Sequence, residues 1–115
     1  MSKFRFQDLE IWQIAIESSD KLFDIADNLE QRKLYRFAKQ LRESAMSNNI
    51  AEGSGSSSNN EFKQYLNIAR RSTFENANIL IILNRRELLE EKELNFLLEQ
   101  LDLLCRKITN FRKSL

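Results

Sequence analysis

The chain has no proline and no histidine, a single cysteine and only two glycines among its 115 residues. Without histidine there can be no Ser–His or Cys–His nucleophilic pair and no imidazole-built zinc site. A di-iron centre between helices is excluded too, because it needs Glu-x-x-His on two of them. The lone Cys105 cannot form an intrachain disulfide, which makes a reducing cytoplasm the expected compartment. It falls on an apolar helical stripe and reads as a small core residue rather than a nucleophile. No apolar run is long enough to span a bilayer, and the opening residues lack the apolar centre of a signal peptide. Gly53-Ser54-Gly55 lacks the Lys-Ser/Thr of a phosphate-binding loop. The expectation is a soluble cytoplasmic protein that is not an enzyme, with no catalytic residues, no cofactor, no metal and no membrane partner.

What remains is the composition of a helical globular domain, 42% hydrophobic and 30% charged, large enough for one core over residues 1–115. Apolar residues recur at helical spacing in four stretches, over about 8–28, 31–53, 59–86 and 91–113. Asp8 is the expected cap of the first, Asn28 with Gln31 of the second, and Ser58 with Glu61 of the third. The two glycines lie between the second and third stretches, where a left-handed helix end is expected. Four helices of about 30 Å with short links predict an all-α, antiparallel up-down-up-down four-helix bundle.

Two of these helices carry more apolar surface than one core seam needs. Ile11 and Ile14 lie on a second stripe of the first helix, and Ile79 and Ile82 on a second stripe of the third. Either the core is thick or these four residues form a subunit interface. Polar residues also interrupt the apolar faces, namely Arg42, Asn49, Glu52 and Glu75. Buried charge must be paired, and Glu52 and Glu75 could find Arg42 or Arg71, so the set is either a network that sets helix or subunit register or a site for a ligand or nucleic acid.

Near neutrality hides segregated charge. Residues 8–30 hold acids against Lys21 alone, residues 32–42 hold only bases, and residues 87–102 are acidic again. In an up-down bundle Lys3, Arg5, Lys63, Arg106, Lys107, Arg112 and Lys113 would share one end. Such an end is either a phosphate-contacting patch for RNA or DNA or a solvated helix terminus with dipole-matched cations. Phe4 and Phe6 are the aromatics there that could stack on bases.

The segments Gln40-Leu41-Arg42, Asn49-Ile50-Ala51-Glu52-Gly53 and Tyr65-Leu66-Asn67-Ile68-Ala69, followed by Ser72 and Glu75, form a specific pattern. With the opening Phe6-Gln7-Asp8-Leu9-Glu10-Ile11-Trp12, it resembles the bacterial 23S ribosomal RNA intervening-sequence family of four-helix-bundle proteins. The resemblance implies an antiparallel four-helix protomer that assembles into a homopentamer, without enzymatic activity. It adds Gly53 and Ser72 to the structural network. Some members are encoded within insertions in 23S ribosomal RNA genes. A related accessory factor of retroelements binds nucleic acid and works with a reverse transcriptase. The implied partners are therefore copies of the chain itself, with RNA, DNA or a nucleic-acid enzyme as the alternative.

Overall fold

The computed structural model describes residues 3–115 and is all-helical over them. After a 3-10 turn at Arg5–Asp8 come α1 (Glu10–Gln31), α2 (Tyr35–Glu43), α3 (Ser47–Ser54), α4 (Asn59–Arg85) and α5 (Glu91–Lys113). At 1.5 Å per residue α4 is about 40 Å long, so the 43 Å long axis of the molecule is one helix in length. Helix α1 touches α2, α3 and α5, while α4 packs on α3 and α5. Leu22, Leu41, Ile50, Phe62, Leu66, Leu80, Leu83, Leu101 and Leu104 close the core among these helices.

The stretch expected as one helix over 31–53 is two. Helix α2 ends at Glu43, and α3 starts at Ser47. No proline or glycine marks the break. A residue distant in sequence holds it open: the Asn76 amide of α4 donates to the Ser44 carbonyl at 2.8 Å. Asn76 is completely buried, and its Nδ2 also lies 2.8 Å from the Met46 sulfur. The Ser44 hydroxyl sits 2.7 Å from the Gln40 carbonyl and 2.5 Å from Asn76 Oδ1, and its one proton can serve either. The carbonyl freed at the end of α2 thus finds a donor without water, as a buried backbone group must.

Capping differs from the expectation in two of three places. Asp8 lies in the 3-10 turn and pairs with Lys3 at 2.7 Å, while Leu9 is the cap residue of α1. Asn28 lies within α1, which runs on to Gln31, so it caps nothing. Ser58 does cap α4, accepting from the Glu61 N–H at 3.1 Å.

The left-handed positions are not the glycines either. Neither glycine has positive φ, whereas Lys33 (64°) and Glu87 (61°) do. Each follows a helix end and closes a Schellman turn. Leu34 N–H donates to the Leu29 carbonyl at 2.8 Å, and Leu88 N–H to the Leu83 carbonyl at 2.9 Å. The apolar Leu34 and Leu88 then pack against the core. A Cβ is disfavoured in this conformation. Lys33→Gly and Glu87→Gly should therefore each raise stability by about 0.5–1 kcal/mol. Urea unfolding monitored by helical circular dichroism would show this as a higher midpoint at unchanged slope.

Candidate interaction surfaces

Arg42, on α2, reaches across to α1 rather than to α3 or α4. Its Nη2 lies 2.7 Å from Asp27 Oδ1 and 2.6 Å from Glu30 Oε2. Hydrogen bonding to Asp27 first, and then to Glu30, raises the guanidinium pKa above its ordinary value. The bridge is at the surface, where it fastens α2 to the acidic end of α1 and carries little net stability. Glu52 and Glu75 are exposed, Asn49 and Ser72 are half-buried, and none of the four bonds to Arg42 or Arg71. Within the single chain Arg42 thus pairs with α1, and Asn49, Glu52, Ser72 and Glu75 do not join it. The break at Ser44–Met46 takes α3 out of register with α2, so residues before and after it no longer share a face. Gly53 is buried where α3 meets α4, its ideal Cβ position only 2.6 Å from Tyr65 Cβ.

The four isoleucines, read as thick core or as subunit interface, divide. Ile11 is 3% and Ile79 5% exposed within the single chain, so neither is available to a partner. Three neighbours surround α1, and the broad apolar arc of that helix is used up inside the protomer. Ile14 and Ile82 are half-buried, Ile14 packing on the edge of the core.

Apolar surface does remain outside, in other places. Phe74 is 60% exposed on α4 and Ile81 is exposed one turn-pair further on. Phe96 and Leu103 are exposed on α5, and Ile68 on α4. Phe74 and Ala77 form one wall of a groove of about 210 Å³, and Leu98, Leu101, Asp102 and Cys105 form the other. Cys105 is thus a half-buried groove residue, and Leu104 takes the core position beside it. On the far side of α5, the Lys21 ammonium sits 3.8 Å from the centre of the Phe96 ring and covers part of it.

Part of the basic set does gather. The Arg5 guanidinium lies 5.3 Å above the Phe62 ring, which meets Phe111 edge-on at 5.6 Å. Beside them Arg112 Nε donates to the Lys63 carbonyl at 3.2 Å. Lys3 is paired with Asp8, Lys107 with Glu10, and Arg106 with Asp102 at 3.2 Å. Arg5, Lys63, Arg112 and Lys113 make no ion pair with a carboxylate among the described residues. Phe4 is exposed and stacks on Phe6, which leans on Trp12 at 5.0 Å.

Sequence reasoning passed over Asn76 and Phe74. The signal for Asn76 was its place on the Thr73, Leu80, Leu83 stripe, where a polar residue must find a buried partner. Among the described residues, no three His, Cys, Asp or Glu side chains cluster closely enough to hold a metal ion. No helix among them is long and apolar enough to cross a membrane.

Packed helices, an enclosed apolar core and apolar and basic surface patches make this a small all-helical protein. A family model described as 23S rRNA-intervening sequence protein matches residues 7–110, and the chain belongs to that family. A comparison with curated proteins found no match.

Proposed function

We propose that the chain is a non-enzymatic helical module that works by assembling with copies of itself, as an antiparallel four-helix bundle within a homopentameric ring. The observation carrying this reading is the apolar surface left on α4 and α5 once the core is closed: Ile68, Phe74, Ile81, Phe96 and Leu103. Phe74 and Ile81 share one face of α4, Phe96 and Leu103 lie on the far side of α5, and apolar side chains of this size left outside the core favour burial against partners. The antiparallel course of α4 and α5 is supported by the contact of Arg112 with the Lys63 carbonyl, which joins the end of one to the start of the other. Light scattering on the eluting protein at micromolar concentration should give several times the protomer mass of 13.6 kDa. A stable monomer under those conditions would overturn the proposal.

The second reading is an accessory protein for RNA or DNA. It is supported by the meeting of Arg5, Lys63 and Arg112 at one end of the molecule, with Phe4 exposed on the adjoining turn. Binding there should weaken steeply with salt, and each phosphate-contacting cation removed should lower the slope of log K against log salt by about 0.7–0.9. Fluorescence anisotropy with labelled single- and double-stranded RNA and DNA would measure it for the wild type and for R112E. No binding to any of them at low salt would end this reading.

A further inference from the structure

We propose that the groove between α4 and α5 is a two-fold, self-complementary contact that joins two copies of the chain face to face. This inference rests on the assembly reading, but it goes beyond a head-to-tail ring by assigning one face to isologous pairing.

The argument starts from two helical stripes. On α4, Arg70, Phe74, Ala77, Ile81 and Arg85 follow one another at spacings of three or four residues, so they share a face. The stripe is apolar in its middle and basic at both ends, and the Arg70 guanidinium lies 5.6 Å from the Phe74 ring. On α5, Glu91, Leu98, Asp102 and Cys105 stand seven, four and three residues apart, which also keeps them on one face. This stripe is apolar with acidic positions. The groove between the stripes is lined from both sides by Phe74, Ala77, Leu98 and Cys105, which makes one continuous patch.

Charge selects the occupant. A patch with Arg85 on one rim and Glu91 on the other, neither in an ion pair among the described residues, is complementary to itself under a two-fold axis running along the groove. That operation lays α4 of each copy over α5 of the other while keeping each residue at its own height along the groove. Arg112 of α5 stands at the level of Lys63, and Asp102 at the level of Phe74. Counting along both helices from those levels puts Arg85 close to Glu91 of the other copy. Asp102 keeps its partner Arg106 in its own helix, at 3.2 Å. The Arg85–Glu91 pair then forms twice, beside a centre in which Phe74 and Ile81 of each copy are withdrawn from water. Turning one copy end over end, with the axis across the groove, would set α4 on α4 and base against base.

Cys105 makes the symmetry testable, because it is the only thiol in the chain and lines the groove beside the proposed axis. In a two-fold contact Cys105 meets its own copy, and in a head-to-tail contact it does not. A short bis-maleimide should therefore join two wild-type chains through Cys105, giving a band at twice the protomer mass on a denaturing gel. I81R, which replaces an exposed side chain, should abolish that band and lower the mass seen by light scattering, with helical circular dichroism unchanged. R85E should weaken pairing about tenfold or more, and R85E with E91R should restore it. An assembled wild type whose mass and cross-linking ignore I81R would overturn the two-fold face while leaving self-assembly standing. A wild type that is monomeric and uncross-linked would overturn both.

Discussion

Gly53→Ala should destabilise the protein by about 2–3 kcal/mol, whereas Gly55→Ala, two residues away, should be nearly neutral. The contrast comes from what each new methyl would meet. At Gly53 it would lie 2.6 Å from Tyr65 Cβ and 2.9 Å from Phe62 Cδ1. A Cβ cannot swing aside as the far end of a flexible side chain can, because the α4 backbone fixes it. Phe62 is itself held between Phe111 and the Arg5 guanidinium. Relief therefore requires α3 and α4 to move apart, which loosens the packing of Ile50, Phe62 and Leu66 together. The helix-propensity gain of alanine over glycine, about 0.5–1 kcal/mol, opposes this and is too small to cancel it. At Gly55 the nearest atom is the Glu52 carbonyl oxygen at 3.5 Å, an ordinary contact, and its φ of −86° suits any residue. For a domain of this size the Gly53 loss corresponds to a fall in Tm of about 10 °C. Thermal unfolding of the two variants beside the wild type is the measurement. Equal midpoints for all three would show that α3 can retreat from α4 without cost.

These glycines show where a sequence can and cannot be read. Their pairing at a corner was legible, but the physical reason for one of them was not. Glycine serves equally for positive φ and for close approach of helices, and only the position of Tyr65 decides between the two. The left-handed positions went to Lys33 and Glu87, because the Schellman hydrogen bonds and the burial of Leu34 and Leu88 outweigh a local strain of about 1–2 kcal/mol. Helices α4 and α5 could be read from long, unbroken apolar periods and, for α4, from the Ser58 cap. The interruption between α2 and α3 could not, since Ala45 and Met46 continue the apolar pattern straight across it. Arg42 stood out as a polar residue needing a partner. Its true partners, Asp27 and Glu30, lay in the acidic block already visible in α1, but choosing them requires knowing that α2 folds back on α1. Breadth of an apolar stripe was a poor guide to which residues face outward. It marked Ile11 and Ile79, which the protomer covers itself, and missed Phe74 and Ile81. How many neighbours a helix has decides how wide an apolar arc it can bury.

Asn76 should tolerate neither an apolar nor an acidic replacement. Asn76→Leu keeps the volume but removes the donor to the Ser44 carbonyl, leaving that carbonyl buried and unpaired, and should cost about 2–3 kcal/mol. Asn76→Asp differs from the wild type by a single atom and should be worse at neutral pH, by about 4 kcal/mol or more. The new carboxylate would face the Ser44 carbonyl and the Met46 sulfur, both electron-rich, at the positions where the amide N–H groups now donate. Its only donor would be the Ser44 hydroxyl, which also has the Gln40 carbonyl within reach. Burial and these neighbours disfavour the charged form, so the folded-state pKa of the new carboxyl must rise above the ordinary value of about 3.9. The folded state then binds its proton more tightly than the unfolded state does. Relative to the wild type, stability should consequently fall as pH rises from about 3.9 through the raised folded pKa, and be regained as pH falls through the same window. The leucine variant, with nothing to titrate, should hold a constant deficit over that range. Urea midpoints for the three proteins at a series of pH values from about 4 to 8 would separate the two effects. A wild-type midpoint for Asn76→Asp at neutral pH would mean that water enters the α2–α3 break. In that case the Asn76 amide would not be what holds the break open.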